Sequence, residues 1–296
     1  MENGRAFRIY IASLLLFGTN GVVAAYVTGL GSSQTVMFRT LLGSVFLLAV
    51  FLLAGRRFTF LKNKKQALFL FLSGMSMGVS WMFQYEAYRE LGVGMTSLIY
   101  CCGPALLMGI SPMIFGERTS MNRIIGFGLV LAGSVFMSIE GLSSGNSVWG
   151  YVCGFMTTIA YVCMVVFNKK ADSVGGLENP TVQMTVAFLT VAVFVILRGD
   201  VPTSIAQSDI VPLLILGLLN TGFGCFLYFS SLGKIEGQTV AICDYLEPAS
   251  AIVFAAILLG ETVGFTEIVG ITIVSAGILI GYRTRDSTRR NGPSVS

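Results

Sequence analysis

Ten apolar stretches, each close to the length of a membrane-crossing helix, constrain this chain more than any other feature. A bilayer core takes about 20 apolar residues in helical form. The polar or glycine-rich connections between the stretches are too short for a separate soluble domain. The sequence therefore predicts an all-α polytopic membrane protein with ten transmembrane helices. The stretches are 8–27, 34–54, 67–88, 93–115, 122–139, 148–168, 180–197, 210–231, 238–259 and 265–282.

Composition supports this assignment and excludes several classes of function. Charged residues make up 11% of the 296 residues, whereas a soluble domain carries about 25%. The chain has no histidine, which excludes imidazole metal sites and Ser-His-Asp chemistry. Its six cysteines lie in apolar stretches without CxxC spacing, as is typical of reduced packing residues. A P-loop is also missing from the sequence. We therefore expect no enzymatic activity, no metal, no cofactor and no nucleic-acid partner.

The distribution of basic residues predicts the orientation of the chain. Lysine and arginine concentrate in cytoplasmic connections. With the N-terminus in the cytoplasm, 16 of the 19 basic residues fall on the inner side and 2 on the outer side, while Arg39 lies within a stretch. Both termini are therefore predicted to be cytoplasmic, which requires an even number of spans. The inner residues are Arg5, Arg8, Arg56, Arg57, Lys62, Lys64, Lys65, Arg118, Arg123, Lys169, Lys170, Lys234, Arg283, Arg285, Arg289 and Arg290; the outer ones are Arg89 and Arg198.

An internal repeat divides the chain, because segment 103–133 aligns without gaps with segment 247–277. Each unit holds five spans, an odd number, so the second unit enters the membrane from the opposite side. We predict one five-helix repeat over 1–142, an inverted second repeat over 143–284 and a cytoplasmic tail over 285–296. Inverted repeats are frequent in secondary transporters; the alternative is a duplication retained only for packing. The identical pairs are Pro104/Pro248, Ala105/Ala249, Gly116/Gly260, Glu117/Glu261, Ile124/Ile268, Gly126/Gly270, Val130/Val274, Ala132/Ala276 and Gly133/Gly277.

Short motifs recur in the two repeats and together resemble a known family. They are Pro104 with Gly116-Glu117, Tyr245-Leu246-Glu247-Pro248 with Gly260-Glu261, Phe17-Gly18-Thr19-Asn20, and Phe38-Arg39. Nearly the whole chain is similar to the drug/metabolite transporter superfamily and, more narrowly, to EamA-type transporters. The resemblance implies two five-span halves, each with a proline at mid-helix and a Gly-Glu pair at the helix end. It also implies transport of small metabolites, often outward and often coupled to protons.

Glu247 is the strongest candidate for a functional side chain. It lies about nine residues, or roughly 13 Å, into the ninth stretch, where a charge costs about 2.5–3.5 kcal/mol. Pro248 lacks an N–H, so the carbonyl of Asp244 loses its helical partner. Asp244 also lies on the same helical face as Glu247, and the two carboxyls could share a proton or a cation. The alternatives are a structural hydrogen bond for Glu247 and hydration for Asp244.

The other candidates are polar or aromatic residues within the stretches. Arg39 is predicted to clamp a carboxylate or phosphate or to balance the acidic pair, unless it extends to the interface. Tyr100, Tyr161 and Tyr245 could stack on a planar or cationic solute, and Asn20 is a further polar candidate. A structural or gating role is predicted for Pro104, Pro248, Glu117 and Glu261.

Together these observations predict a secondary active transporter in the inner or plasma membrane. It would move a small amino acid-like or drug-like solute by alternating access, as a proton-coupled efflux system. A lipid-carrier flippase and a non-transporting membrane subunit remain as alternatives. A membrane enzyme acting on lipids is disfavoured because loop carboxylates are scarce and histidine is absent. The sequence does not distinguish a monomer from a homodimer.

Overall fold

The computed structural model is built of helices, and no strand occurs among the residues that it describes, namely 2–100, 102–116, 120–138, 147–202, 204–260 and 265–290. A 3₁₀ turn covers Phe60–Lys62, and a π-helical segment covers Ile215–Phe223. The α-helices are α1 (Glu2–Gly18), α2 (Asn20–Ala25), α3 (Ser32–Leu53), α4 (Lys64–Tyr100), α5 (Cys102–Phe115), α6 (Met121–Ser138), α7 (Val148–Lys170), α8 (Glu178–Arg198), α9 (Gln207–Leu214), α10 (Gly224–Leu232), α11 (Gly237–Cys243), α12 (Leu246–Leu259) and α13 (Phe265–Arg290).

Several of these helices have the length and composition of membrane spans. Shorter apolar helices accompany them, and large apolar side chains such as Leu53, Met113 and Leu197 are exposed. Such exposure is expected where lipid surrounds the protein, because lipid tails are as apolar as leucine. The chain is an integral membrane protein. Six segments are long and apolar enough to cross a bilayer: Gly4–Ala25, Ser32–Leu53, Lys64–Ala87, Val148–Lys170, Glu178–Arg198 and Gln207–Leu232.

The internal repeat is visible in the bounds of the helices. Helices α5 and α12 end at paired positions of the repeat alignment, Phe115 and Leu259. Left-handed glycines occur at equivalent places too: Gly55 with Gly199, and Gly116 with Gly260. Glycine takes this conformation without strain, so it suits the end of a helix.

Helices α6 and α13 cross through glycines that belong to the repeat. A Cβ atom at Gly133 would lie 2.7 Å from the carbonyl oxygen of Gly270, and one at Gly277 would lie 2.6 Å from that of Gly126. Only glycine therefore permits this close backbone approach. Since Gly126 corresponds to Gly270 and Gly133 to Gly277, the two halves of the contact are reciprocal.

Contacts with α7 show that the helical range Lys64–Tyr100 is not one straight rod. Ser80 and Ile99 bond to the adjacent α7 residues Thr157 and Thr158, whereas Glu90 bonds to Ser147 at the start of α7. Positions on either side of Glu90 therefore lie beside the middle of α7.

Two predicted continuous spans are interrupted. The first stretch breaks at Thr19, between α1 and α2, and the ninth breaks at Asp244 and Tyr245, between α11 and α12. Residue 101 lies outside the described residues, so the predicted mid-helix position of Pro104 stays a prediction. That of Pro248 is wrong, because Pro248 is the third residue of α12. Proline is tolerated there, since the first turn of a helix has no intrahelical partner for its N–H groups.

Candidate functional site

Asp244 lies at the break between α11 and α12, where two tyrosine hydroxyls reach it from other helices. Tyr10 of α1 donates to Oδ1, and Tyr161 of α7 donates to Oδ2. Both tyrosines are buried. A carboxylate that accepts a hydrogen bond on each oxygen is fixed in position. The structure therefore brings together the predicted residues Asp244 and Tyr161.

Further aromatic rings surround this pair of hydrogen bonds. The ring of Tyr228 lies 5.2 Å from that of Tyr10, and the ring of Tyr100 lies 5.4 Å from that of Tyr161, in an edge-to-face arrangement. We call Tyr10, Tyr100, Tyr161 and Tyr228 the tyrosine cluster. The predicted stacking role of Tyr100 and Tyr161 is compatible with this position. Tyr10 did not emerge from the sequence, although its helical spacing from Leu14 and Phe17 marks a core-facing stripe.

A glycine makes room for one of the hydrogen bonds to Asp244. A Cβ atom at Gly103 would lie 2.8 Å from Cδ1 of the Tyr161 ring, closer than real Cβ contacts come. Gly103 is the repeat counterpart of Glu247. The first repeat thus has space for a tyrosine ring where the second repeat carries a carboxylate.

Glu247 lies in the first turn of α12, one turn beyond Asp244. It is partly buried, and its carboxylate accepts no hydrogen bond from any residue that the structure describes. It interacts electrostatically with Asp244 and with Arg39. The N-terminal end of a helix favours a negative charge. Glu247 is therefore an acceptor that the described residues leave available.

The backbone at Asp244 differs from the prediction of a free carbonyl. The Glu247 N–H donates to the Asp244 carbonyl at 3.2 Å, and the Ala249 N–H donates to the Tyr245 carbonyl at 3.3 Å. The first bond spans three residues, as in a 3₁₀ turn, so it replaces the partner that Pro248 cannot supply. The predicted free carbonyl is thus wrong, and the carboxyl groups are the available acceptors.

Arg39 is buried in α3, and its hydrogen-bond acceptors are neutral. Its Nε donates to Thr221 at 3.1 Å and its Nη1 donates to the hydroxyl of Tyr85 at 3.4 Å. The guanidinium lies 4.7 Å from the centre of the Trp81 ring, a cation–π geometry. Within the described part of the chain, no ion pair joins Arg39 to a carboxylate. The interfacial alternative does not apply, because Arg39 is 5% exposed.

Asn20 contacts the π-helical segment that also holds Arg39, and no described contact joins it to the tyrosine cluster. The amide nitrogen of Asn220 donates to Asn20 Oδ1 at 3.0 Å and to Thr19 Oγ1 at 2.8 Å. This contact joins the break between α1 and α2 to the π-helical segment. Thr221 follows Asn220 directly and holds Arg39. Broken helices and π-helical turns are frequent at functional sites.

The remaining candidates fall into three groups. Tyr245 is buried in the central apolar core. Pro104 is buried in α5, and Pro248 belongs to α12. Glu117 and Glu261 lie outside the described residues, so their predicted gating role stays a prediction.

A polar contact between the repeats lies on the side predicted to be cytoplasmic. Arg123 of α6 forms an ion pair with Glu236 and donates to Gln238 Oε1 at 3.2 Å. Lys169 of α7 donates to the carbonyl oxygen of Ile235. We call Arg123, Lys169 and the segment 235–238 the inner latch. This segment continues into α11, which ends directly before Asp244.

Comparisons with known proteins agree with this architecture. The model of the EamA-like transporter family matches the chain twice, over residues 7–139 and 148–283. One solved crystal structure superposes with a TM-score of 0.81 at 15% identity, covering 94% of this chain and 98% of that chain. At that identity the likeness concerns the fold alone.

Curated relatives carry transporter names. The chain is 28% identical over 272 residues to a "Probable amino-acid metabolite efflux pump" of Salmonella typhimurium, covering 81% of this chain and 89% of that protein. It is 20% identical over 273 residues to "Uncharacterized transporter YxxF" of Bacillus subtilis, covering 91% and 87%. A "Probable amino-acid metabolite efflux pump" of Escherichia coli is 27% identical over 215 residues, covering 66% and 70%.

Proposed function

Because this chain belongs to the EamA-like transporter family, we propose that it is a secondary active transporter that exports a small metabolite in exchange for protons. The solute is amino acid-like or drug-like. Members of this family are transporters rather than enzymes. The protein resides in the inner or plasma membrane with both termini in the cytoplasm, and the solute crosses by alternating access between two halves.

The observation that carries the proposal is the pair of carboxyl groups at the break between α11 and α12. Asp244 is held by two buried tyrosine hydroxyls, whereas Glu247 accepts no hydrogen bond from a described residue. Ionisable groups within membrane segments are costly and mark pathways for ions, protons or substrates. Discontinuous helices form the midplane sites of many secondary transporters. Asp244 and the tyrosine cluster therefore shape the site, and Glu247 exchanges a proton with the solute.

Two observations support ten helices in inverted repeats. The end of α5 recurs in α12 in the register of the repeat alignment, and the crossing of α6 and α13 is reciprocal. A reciprocal contact between equivalent positions is what a pseudo-two-fold axis produces. In such a protein, exchanging the conformations of the two halves opens the site to the other side of the membrane.

The inner latch supports a description of how one side closes. Arg123 belongs to the first repeat, and its partners Glu236 and Gln238 belong to the second. Their ion pair holds the two halves together at the predicted cytoplasmic side. The segment 235–238 leads directly into α11. If α11 shifts when a proton binds, this segment of the inner latch shifts with it.

The test compares wild type with Glu247→Gln in a host that lacks this transporter, with metabolites measured in cells and medium. We expect wild-type cells to export a solute that the mutant retains, and an uncoupler of the proton gradient to reduce this export. Glu86→Gln is the matched control, because Glu86 is an acid paired with Arg198 outside the site. Both proteins must reach the membrane in equal amounts.

Other results would favour the alternatives. Equal export by wild type and Glu247→Gln would leave transport standing and remove Glu247 from the mechanism. If correctly inserted wild type changes no solute, a non-transporting subunit becomes the better description. A change confined to lipid-linked carriers would identify a flippase.

A further inference from the structure

Arg39 is a buried cation whose described neighbours leave most of its hydrogen-bonding capacity unused. A guanidinium carries five N–H donors, and the described contacts use two of them, to Thr221 and Tyr85. Both acceptors are neutral. Buried charges in proteins are normally paired, and the cost is larger inside a bilayer. An arginine left in this condition points to an anionic partner that comes from outside the protein.

Two contacts also hold the guanidinium of Arg39 in a fixed orientation. Thr221 anchors Nε, and the Trp81 ring covers one face of the guanidinium at 4.7 Å. Nη2 makes no hydrogen bond with a described residue. A planar guanidinium held in this way is suited to bind a carboxylate through two parallel hydrogen bonds.

Glu247 provides the opposite charge. It interacts electrostatically with Arg39, yet the two side chains form no ion pair within the described part of the chain. Among the described residues, the Glu247 carboxylate on α12 has no hydrogen-bond donor, and the Arg39 guanidinium on α3 has no hydrogen-bonded acid. A solute that carries both an anionic and a cationic group satisfies both of them at once.

The repeat counterpart of Arg39, which lies in α8, shows that a polar residue at this place need not bind a solute. This counterpart is Gln183. Its Nε2 donates to Asn179 at 2.7 Å, and its Oε1 accepts from Ser73. Gln183 is fully buried and is satisfied by protein groups, whereas the described neighbours of Arg39 do not satisfy its charge.

We infer that Arg39 is the anion-binding subsite for a zwitterionic, amino-acid-like solute whose ammonium group lies at Glu247. This assignment rests on the proposed transport function and narrows it. Arg39 selects solutes that carry a carboxylate, and it excludes drug-like cations that lack one. The site therefore recognises two separate charges on one molecule.

The chain provides its own reporter for the test. Trp81 and Trp149 are its two tryptophans, and Trp149 is half-exposed outside the site. In the full-length Trp149→Phe protein, purified in detergent, Trp81 fluorescence reports binding next to Arg39. The probes are the twenty common amino acids, each compared with its carboxamide, which keeps the ammonium group and lacks the carboxylate.

We expect at least one amino acid to change Trp81 emission saturably and its carboxamide to bind about tenfold or more weakly. Arg39→Gln in the same background should weaken binding of the acid roughly 10- to 100-fold, as expected from the loss of hydrogen bonds to a charged group. Arg39→Lys should fall between, since lysine keeps the charge without the paired donors. Arg198→Gln, which removes an arginine outside the site, should leave the affinity unchanged.

Three results would overturn the inference: carboxamides that bind as tightly as the acids, an Arg39→Gln protein with unchanged affinity, or a folded protein that responds to none of the twenty acids. The comparison of acid with carboxamide needs no Arg39 variant, so it holds even if Arg39→Gln fails to fold. Export of a carboxylate-free cation that depends on Glu247 would reject the subsite and leave the proposed function intact. Conversely, acid binding that depends on Arg39, combined with export unaffected by Glu247→Gln, would reject the proton-exchange role.

Discussion

The two repeats share a helical framework and differ in the charged residues that they carry. Helices α5 and α12 end at equivalent positions, but the second repeat carries Asp244 and Glu247 where the first has Tyr100 and Gly103. In the proposed transporter, this shared helical framework provides the symmetry that is required for the two halves to exchange conformations. These two carboxylates belong to one repeat only, so the proposed solute site is asymmetric although the two repeats are similar.

The difference also shows which polar residues serve the fold. Ser73 of the first repeat and Gln183 of the second satisfy one another. The carboxylate of Glu247 and the guanidinium of Arg39 form no hydrogen bond or ion pair with each other within the described chain. The proposed function therefore rests on charged groups that the described chain does not satisfy, rather than on burial or polarity alone.

The largest expected effect comes from removing the acceptor at Asp244. Asp244→Ala leaves the hydroxyls of Tyr10 and Tyr161 buried without their acceptor, at a cost of about 1–3 kcal/mol for each. We expect a clear fall in the thermal unfolding midpoint in detergent, together with loss of export. Asp244→Asn is the control, because its amide oxygen still accepts one hydrogen bond. Its midpoint should lie between those of wild type and Asp244→Ala; an unchanged midpoint for Asp244→Ala would contradict the contacts described above.

A smaller effect is expected from Gly103, the counterpart of Glu247. In Gly103→Ala the new Cβ atom meets the Tyr161 ring at 2.8 Å, so the ring must move away from Asp244. Overpacking of this kind costs about 1–3 kcal/mol. Export should fall because Asp244 loses one of its two fixed donors, and the thermal midpoint should fall with it.

Gly109→Ala is the matched control for this substitution. Gly109 lies in the same helix, and a Cβ atom there would meet nothing within 4 Å. Alanine should stabilise the helix slightly at that position. If both substitutions have the same effect on export, the fit between Gly103 and Tyr161 does not matter for the site.

The sequence was sufficient for the family, the helical membrane fold and the repeat, because apolar length and an ungapped internal alignment are direct physical signals. It also singled out Asp244 and Tyr161, which the structure brings into contact. It missed Tyr10, since a hydroxyl near the start of the first helix has no local sign of its distant partner. The predicted mid-helix position of Pro248 was wrong because α12 begins only two positions before it.

Breaking the inner latch is expected to have the smallest effect on stability. It also provides the sharpest test of motion between the two halves. The Arg123–Glu236 pair also breaks the symmetry, because the repeat counterpart of Arg123 is Glu267. Glu236 is 41% exposed, so the ion pair contributes about 0–1 kcal/mol. Its loss would change the equilibrium constant between the closed and open states by up to about fivefold. Arg123→Gln should therefore expose the site from the inner side with little loss of the thermal midpoint.

Cys243 reports this opening, because it is fully buried and directly precedes Asp244. With the other five cysteines replaced by serine, a membrane-impermeant maleimide added to inside-out vesicles should label Cys243 faster in Arg123→Gln than in wild type. Lys170→Gln, which removes a neighbouring charge that lies over Phe69, should leave the rate unchanged. The exchange Arg123→Glu with Glu236→Arg should slow labelling again, since it restores the ion pair. Labelling that rises only from the outer side would place the latch on the wrong face of the membrane and would reverse the predicted orientation.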